Sequence, residues 1–310
     1  MHRLRRLRAE MLGLNRRNHA YLFRYNTPQR SRLVDDKRAT KTLLAARGIP
    51  APTLHDTCEA AWQVRGLAAR LWERPEFALK PARGAGGAGI VVIVGREGDH
   101  FLKASGKGVH RRTLEAHVCD VLAGMYSVGG RQDVLLVEER IVPEPLLAAL
   151  AYRGVPDVRV LVFRGVPVLA MLRLPTRRSD GRANLHLGGI GVGIDLARGE
   201  TTSAVAGRRP LAVHPDLGRP LGGVMLPAWD EILRLAVQAA DAVELGLVGV
   251  DLVVDLRRGP LVLELNARPG LTIQVANRRG LRPLLDTVAA MDVPAGLAER
   301  VALGRRLASG

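Results

Sequence analysis

Between Leu247 and Asn266 the chain carries two strand-length apolar runs, Leu-Val-Gly-Val-Asp-Leu-Val-Val-Asp and Pro-Leu-Val-Leu-Glu-Leu-Asn, joined through Arg257-Arg258-Gly259. This stretch constrains the fold most. Two β-branched runs around a short glycine-containing turn predict an antiparallel hairpin over 247–256 and 260–266. Polar residues intrude where the neighbours are apolar. Side chains alternate along a strand, so Glu264 and Asn266 share a face. A turn centred between Arg257 and Arg258 puts Asp251 directly opposite Glu264, with Cβ atoms about 4.5–5.5 Å apart. Two carboxylates and an amide oxygen at that separation form a hard-oxygen set suited to Mg²⁺. Without a cation, two acids that close on a buried face repel, and one pKa rises. The hairpin leaves Asp255 on a solvated face.

A second feature lies upstream. Glu76 to Lys80 reads as a short strand, followed by Gly84-Ala-Gly86-Gly87-Ala-Gly89 and then the β-branched run Ile90–Val94. Gly84, Gly86 and Gly89 match G-x-G-x-x-G, but a dinucleotide fold needs that loop to open a helix, and a strand follows here. No Gly-Lys-Ser/Thr closes the run as a Walker loop requires, and neither H-R-D nor D-F-G follows as in a protein kinase. What remains is a glycine-rich hairpin whose bare backbone approaches phosphates closely and donates N–H groups. Lys80 supplies a point charge to the phosphate oxygens.

Elsewhere the pattern predicts helices over 36–47, 58–72, 112–124 and 228–244 and a strand over 134–138. A hairpin over 157–164 and 166–174 turns at Arg164-Gly165. Helices interspersed with mostly antiparallel strands indicate an α+β architecture. Apolar residues make up 47% of the 310, enough for a sizeable core, which excludes a disordered or disulfide-scaffold protein. Cys58 and Cys119 lack metal-ligand spacing, so a reduced, cytoplasmic protein is expected. Apolar runs such as 145–152 are too short to span a bilayer.

The formal net charge is +16, and residues 1–41 hold twelve Lys/Arg against Glu10, Asp35 and Asp36. Leu4, Leu7, Met11 and Leu14 recur at helical spacing, so residues 1–34 read as a basic amphipathic helical arm. Such an arm packs on the main domain, or meets RNA or an anionic membrane. Eleven Phe, Trp and Tyr are few for nucleic-acid stacking.

A lysine and glycine hairpin combined with an Asp…Glu-x-Asn set resembles the ATP-grasp ligases, in particular their RimK-type branch, the α-L-glutamate ligase-like proteins. The match is carried by Asp36-Lys37 with the following Gly48-Ile-Pro-x-Pro52, by Leu79-Lys80-Pro81 with its glycine loop, and by Val137-Glu138-Glu139-Arg140-Ile141. It continues through Asp157-Val158-Arg159, Asn184-Leu-His186-x-Gly188-Gly189, and Gly249-Val-Asp251…Glu264-Leu-Asn266-x-x-Pro269-Gly270.

The resemblance implies an ATP-grasp fold, two α+β subdomains clasping ATP. The first lobe would run from about 35 to 136 with the glycine hairpin, and the second from 137 to 310 with the metal site. The basic segment 1–34 replaces the usual N-terminal α/β domain. It further implies that Lys37 and Lys80, with the loop glycines 84, 86, 87 and 89, contact ATP phosphates. Glu138, Glu139 and Ile141 lie at the adenine edge, and either Asp157 or Glu144 holds the ribose. Arg182 and Asn184 match an element at the nucleotide. Asp251, Glu264 and Asn266 match ligands for Mg²⁺ (two ions, or Mn²⁺ in its place), and Lys80, Arg159 and Arg173 match groups at the transferring phosphoryl. His186, Gly188, Gly189 and Arg268, with Arg177 and Arg178, are candidates for contact with an acidic substrate.

The implied reaction is ATP-dependent carboxylate–amine ligation through an acyl phosphate, with glutamate or an acidic peptide as substrate. A partner protein, a second copy of the chain or the arm itself would complete the substrate site. The alternatives are a basic RNA-, ribosome- or membrane-binding protein that uses the fold as scaffold, or a phosphotransferase that does not ligate.

Overall fold

The structure is a computed structural model that describes residues 9–84, 86–104, 106–127 and 129–309. It divides into two units. The smaller comprises Asp36–Lys41 and Pro52–Ile141, and the larger the remaining residues, including 142–310. Each is a sheet covered by helices, as an α+β chain requires.

In the smaller unit, strands β1 (Leu54–Cys58), β2 (Phe77–Pro81), β3 (Val91–Glu97), β4 (His100–Lys103), β5 (Gly108–His110) and β6 (Leu135–Glu138) pair in the order β1-β6-β2-β3-β4-β5. All pairs are antiparallel. The helices Val64–Trp72 and Arg111–Leu122 turn Leu67, Leu71, Leu114, Val118 and Val121 onto Phe77, Leu79, Ile93 and Phe101. Each fully buried side chain of this size contributes roughly 1.5–3 kcal/mol. The helix expected over 58–72 begins instead at Val64, after a short 3₁₀ turn, because residues 54–58 form a strand. β1 is a sheet edge, and its polar sequence Leu-His-Asp-Thr-Cys carries no alternating apolar signal.

In the larger unit, strands β7 (Asp157–Phe163), β8 (Val166–Leu174), β9 (Ile190–Asp195), β10 (Glu200–Ala206), β11 (Arg209–Leu211), β12 (Leu247–Asp255) and β13 (Gly259–Asn266) run in the order β11-β10-β9-β8-β7-β12-β13. β7 and β8 meet through Arg164-Gly165 as expected. Both residues have positive φ, which a two-residue hairpin turn with the twist of its strands requires. The Arg164 side chain donates to the carbonyls of Val288, Ala289 and Met291 and so closes the end of the helix Arg282–Ala290.

One face of this sheet packs against the helix Trp229–Val243 through Val158, Val160, Val250 and Leu252. The opposite face carries Leu161, Phe163, Met171 and Leu247. It is covered by Leu12, Tyr21 and Leu22 together with Ile273, Leu281, Leu285 and Val288. The N-terminal segment is thus part of this core, but not by the expected stripe. Leu4 and Leu7 lie outside the described residues, and Leu14 is exposed. The inward residues come instead from Leu12 and from a π-helical turn, Arg17–Leu22.

The hairpin β12–β13 pairs Asp251 with Glu264 as the sequence predicts, by a different route. Asp255 pairs with Gly259, so the turn is centred on Arg257, and a bulge between Asp251 and Leu252 restores the register. Asp255 is buried rather than solvated. Its carboxylate accepts the amides of Val142, Arg257 and Arg258, which holds the turn.

Candidate functional site

Alternation places Asp157, Arg159, Leu161 and Phe163 on one face of β7, and Leu247, Gly249 and Asp251 on the same face of β12. That face is apolar where the N-terminal segment covers it. It becomes charged toward the start of β7, where Asp157 pairs with Arg173 of β8 and Arg159 pairs with Asp251. The Arg159 guanidinium grips Asp251 with both prongs, Nε to Oδ1 and Nη2 to Oδ2, each at 2.6 Å. Arg173 donates Nη2 to Asp251 Oδ2 at 2.7 Å and Nε to Asp157 Oδ1 at 2.5 Å. Asn266 Nδ2 completes the shell of Asp251 at 3.1 Å.

Burial would raise the pKa of Asp251, but the two guanidinium groups outweigh it and hold the carboxyl below its ordinary range. Asp157 goes the other way. Its burial dominates the pull of Arg173, the Asp251 charge adds to the rise, and its pKa is pushed up to about 6. Burial alone would lower Arg173, but the two carboxylates more than offset that and raise it.

Asp251, Glu264 and Asn266 come together here, as the sequence predicts. Their donor chemistry fits a hard divalent cation: two carboxylates face each other across the hairpin, and an amide lies alongside. Amide oxygen and nitrogen are nearly isosteric, so a turned Asn266 offers its oxygen to a cation. Among the described residues no group of three or more His, Cys, Asp or Glu side chains is placed to hold a metal. The cation would therefore take its remaining ligands from water and phosphate oxygens, as Mg²⁺ ordinarily does. Arg159 and Arg173 already occupy Asp251, so binding there requires Asp251 to share its oxygens with them.

The smaller unit holds the lysines. Lys80, on β2, donates to Glu138 Oε2 at 2.7 Å across the β2–β6 pair. Lys41, which the sequence reading did not single out, is buried on the helix Lys37–Ala46. It donates to the Pro52 carbonyl at 3.0 Å and lies 3.3 Å from Glu138 Oε1. Burial lowers the Lys41 pKa despite the attraction of Glu138. Burial works to raise Glu138, but Lys80 and Lys41 outweigh it and hold the carboxyl down. Lys37, one turn earlier, donates to the carbonyl of Gly84 at 2.7 Å and so tethers the start of the glycine loop.

Gly86, Gly87 and Gly89 all have positive φ, the conformation glycine permits. A Cβ on Gly89 would stand 2.6 Å from the Tyr126 ring and 2.8 Å from Pro81, so the loop is packed from both sides. His117 Nε2 meets the Gly89 carbonyl at 2.9 Å, and Tyr126 lies beside the same imidazole. These braces were invisible in the sequence, because neither residue stands in a motif.

The other expected residues are more scattered. The Glu139 amide donates to the Thr53 carbonyl, and its carboxylate accepts from the Thr53 amide and hydroxyl. Ile141 is buried. Glu144 caps the short helix Pro145–Ala148 through the Leu147 amide, whereas Asp157 belongs to the arginine cluster. Asn184 accepts from the His186 amide and opens a 3₁₀ turn, with His186 exposed. Arg182 lies 3.7 Å from the exposed Asp180. Gly188 has φ +105°, and a Cβ there would meet Arg178, while a Cβ on Gly189 would meet the Asn184 backbone. Arg268 pairs with Asp35, and Arg177 lies over the Tyr152 ring.

Among the described residues no helix is long and apolar enough to cross a membrane. Curated relatives include a probable alpha-L-glutamate ligase of Xanthomonas axonopodis pv. citri (strain 306). It is 27% identical over 238 residues, which are 76% of this chain and 57% of that protein. One of the same description from Sodalis glossinidius (strain morsitans) is 34% identical over 152 residues, 49% of this chain and 38% of that protein. The matched part of the chain thus spans little more than half the length of the first relative and well under half of the second. Similar solved structures include the ATP-grasp ligase PsnB complexed with a minimal precursor (18% identity, TM-score 0.45, 86% of this chain and 63% of that one). Another is the D-alanine-D-alanine ligase from Coxiella burnetii (18% identity, TM-score 0.46, 91% and 60%). The family profile described as sugar-transfer associated ATP-grasp matches residues 16–290. With nearly the whole chain inside that match, this protein belongs to the sugar-transfer associated ATP-grasp family.

Proposed function

We propose that this chain is an ATP- and Mg²⁺-dependent carboxylate–amine ligase that forms an amide through an acyl phosphate, with glutamate or an acidic peptide among its substrates. The observation that carries the reading is the meeting of Arg159, Arg173, Asp251, Glu264 and Asn266 on one face of one sheet. That set combines fixed positive charge for a transferring phosphoryl group with hard oxygens for a cation. Relatives described as probable alpha-L-glutamate ligases support the choice of substrate. The free thiols of Cys58 and Cys119 suit a reducing, cytoplasmic setting.

In the smaller unit, Lys37, Lys80 and the glycine hairpin bind phosphate oxygens, and the segment 138–141 lies along the adenine. In the larger unit, Asp251, Glu264 and Asn266 would hold Mg²⁺, which when bound neutralises phosphate charge. Asp157 or Glu144 holds the ribose, and Arg182 and Asn184 contribute at the nucleotide. A substrate carboxylate oxygen attacks the γ-phosphorus and ADP leaves. An amine then attacks the acyl carbon, inorganic phosphate departs with the C–O electron pair, and the amine proton passes to solvent. Arg159 and Arg173 work by position and charge, since phosphoryl transfer asks little covalent chemistry of the protein.

The test is ADP release with pooled amino acids, acidic peptides, sugar acids and amino sugars, with mass spectrometry of the products. The sugars are included because of the family's described association with sugar transfer. ATP turnover that needs both a carboxylate and an amine, and that is lost in Glu264→Ala, supports the proposal. Absence of turnover with every pair, while wild type and Glu264→Ala bind RNA alike, would transfer the fold to the role of an RNA-binding scaffold.

A further inference from the structure

Arg17 is a buried cation with no part in the chemistry above. It opens the π-helical turn Arg17–Leu22 and is 8% exposed. π-helical turns are rare and concentrate at functional sites. Its guanidinium Nη1 donates to the Pro269 carbonyl at 2.8 Å, and Nε and Nη2 donate to Asn18 Oδ1 at 3.1 and 2.8 Å. Both acceptors are uncharged. These bonds engage three of the five N–H donors a guanidinium carries, leaving one on each terminal nitrogen. Burial, and then the like charge of Arg268, lower its pKa. A buried charge held by neutral groups and facing another of its own sign is costly unless an anion joins it.

Its surroundings indicate which anion. Arg268 precedes the proline that Arg17 holds, and its Nη1 contacts both oxygens of Asp35 at 2.9 and 3.0 Å. Of the two guanidinium groups, Arg268 is paired with a carboxylate, whereas the bonds of Arg17 go to the neutral Asn18 amide oxygen and Pro269 carbonyl. The Pro269 ring lies over Gly249, where a Cβ would stand 3.0 Å from Pro269 Cβ and 3.7 Å from Arg159 Nε. Arg17 is thus one residue removed from the arginine–carboxylate cluster, on the same covered face of the sheet. A pair of planar forks suits a carboxylate, which they can grip bidentately.

We propose that Arg17 and Arg268 form a subsite for the non-reacting carboxylate of an acidic substrate, so that the N-terminal segment supplies a specificity-determining residue. The substrate class rests on the ligase reading, but binding at the subsite requires no turnover, and the two can fail separately.

The test titrates glutarate into the full-length chain by calorimetry, for wild type, Arg17→Gln and Arg268→Gln, with butyrate and inorganic phosphate as competitors. The expected result is glutarate binding that weakens about tenfold or more in each variant, as loss of a charged hydrogen bond predicts, with nucleotide affinity unchanged. In wild type, phosphate and butyrate should compete poorly. Should Arg17→Gln lose its cooperative melting transition, the surface variant Arg268→Gln decides alone. Glutarate affinity unchanged in Arg268→Gln or in a folded Arg17→Gln overturns the proposal. So does no glutarate binding by wild type, or displacement by phosphate as effective as by glutarate itself. Glutarate binding that depends on these arginines in a chain without ligase turnover would keep the subsite and remove the ligase reading. Turnover of acidic substrates that ignores both substitutions would do the reverse.

Discussion

Glu138→Gln is the sharpest test of how the lysine cluster is built. Glu138 is 1% exposed, and its two oxygens face Lys80 at 2.7 Å and Lys41 at 3.3 Å. The substitution keeps the shape and removes the only charge opposing the two ammonium groups within that triad. Breaking a buried pair by neutralising one partner costs roughly 3–5 kcal/mol. The Lys80 side chain retains 14% exposure, so some of its charge remains solvated and the loss should fall near the lower figure, about 3 kcal/mol. The pH dependence follows from Lys41, whose pKa burial already lowers. Without Glu138 it falls further, so the folded state of the variant favours the neutral amine more strongly. Its deficit against wild type should therefore narrow as pH rises from neutral toward the ordinary lysine range. Urea unfolding followed by Trp72 fluorescence, in a Trp62→Phe and Trp229→Phe background, reports on the smaller unit. A loss below about 1 kcal/mol, or a deficit that does not change up to pH 10, would refute the reasoning.

Asp157 offers a complementary test, because its pKa is pushed up to about 6. The folded chain then binds this proton more tightly than the unfolded chain, so the group withdraws stability as pH rises from about 4 to 6, on the order of 3 kcal/mol in all. Asp157→Asn should gain on wild type across that window in denaturant midpoints, and parallel curves would contradict the assignment. Gly89→Ala combines φ +72° with a Cβ 2.6 Å from the Tyr126 ring, so the hairpin must shift. Such strain costs of order 1–3 kcal/mol, and the variant should show faster proteolysis within 84–90 together with weaker nucleotide binding. Arg173→Met should lower kcat of the ligation by about 10²–10³ while nucleotide affinity changes little, as expected of a group that acts mainly on transition-state charge.

The sequence made the hairpin carrying the acids legible because β-branched runs, a glycine turn and misplaced polar residues all coincide there. Its register was reached for an incomplete reason. A bulge beside Asp251, rather than the turn alone, aligns Asp251 with Glu264, and nothing in Val-Asp-Leu marks a bulge. Asp255 looked like a solvated turn residue because its amide partners include Val142, far away in the chain. The lysine and glycine elements were readable from their order. Lys41 was not, since on an amphipathic basic helix a buried lysine and an exposed one have the same spacing. Arg17 was hidden by the same ambiguity, compounded by a π-helical turn that breaks the 3.6-residue period. Strands β9 to β11 were missed because Ile-Gly-Val-Gly-Ile-Asp and Glu-Thr-Thr-Ser carry too little continuous apolar signal. The helices after Leu271 were missed because glycine, proline and arginine interrupt their apolar periodicity.

The activity proposed for this chain joins a carboxylate to an amine at the expense of ATP. The most direct measurement is the product itself: ATP, Mg²⁺, glutamate and a pool of amines incubated with the protein, with parallel quantification of ADP, phosphate and new masses. The expected product is a species one water lighter than the sum of acid and amine, appearing with one ADP and one phosphate per bond and absent with Glu264→Ala. ADP formed without any condensed product would contradict it.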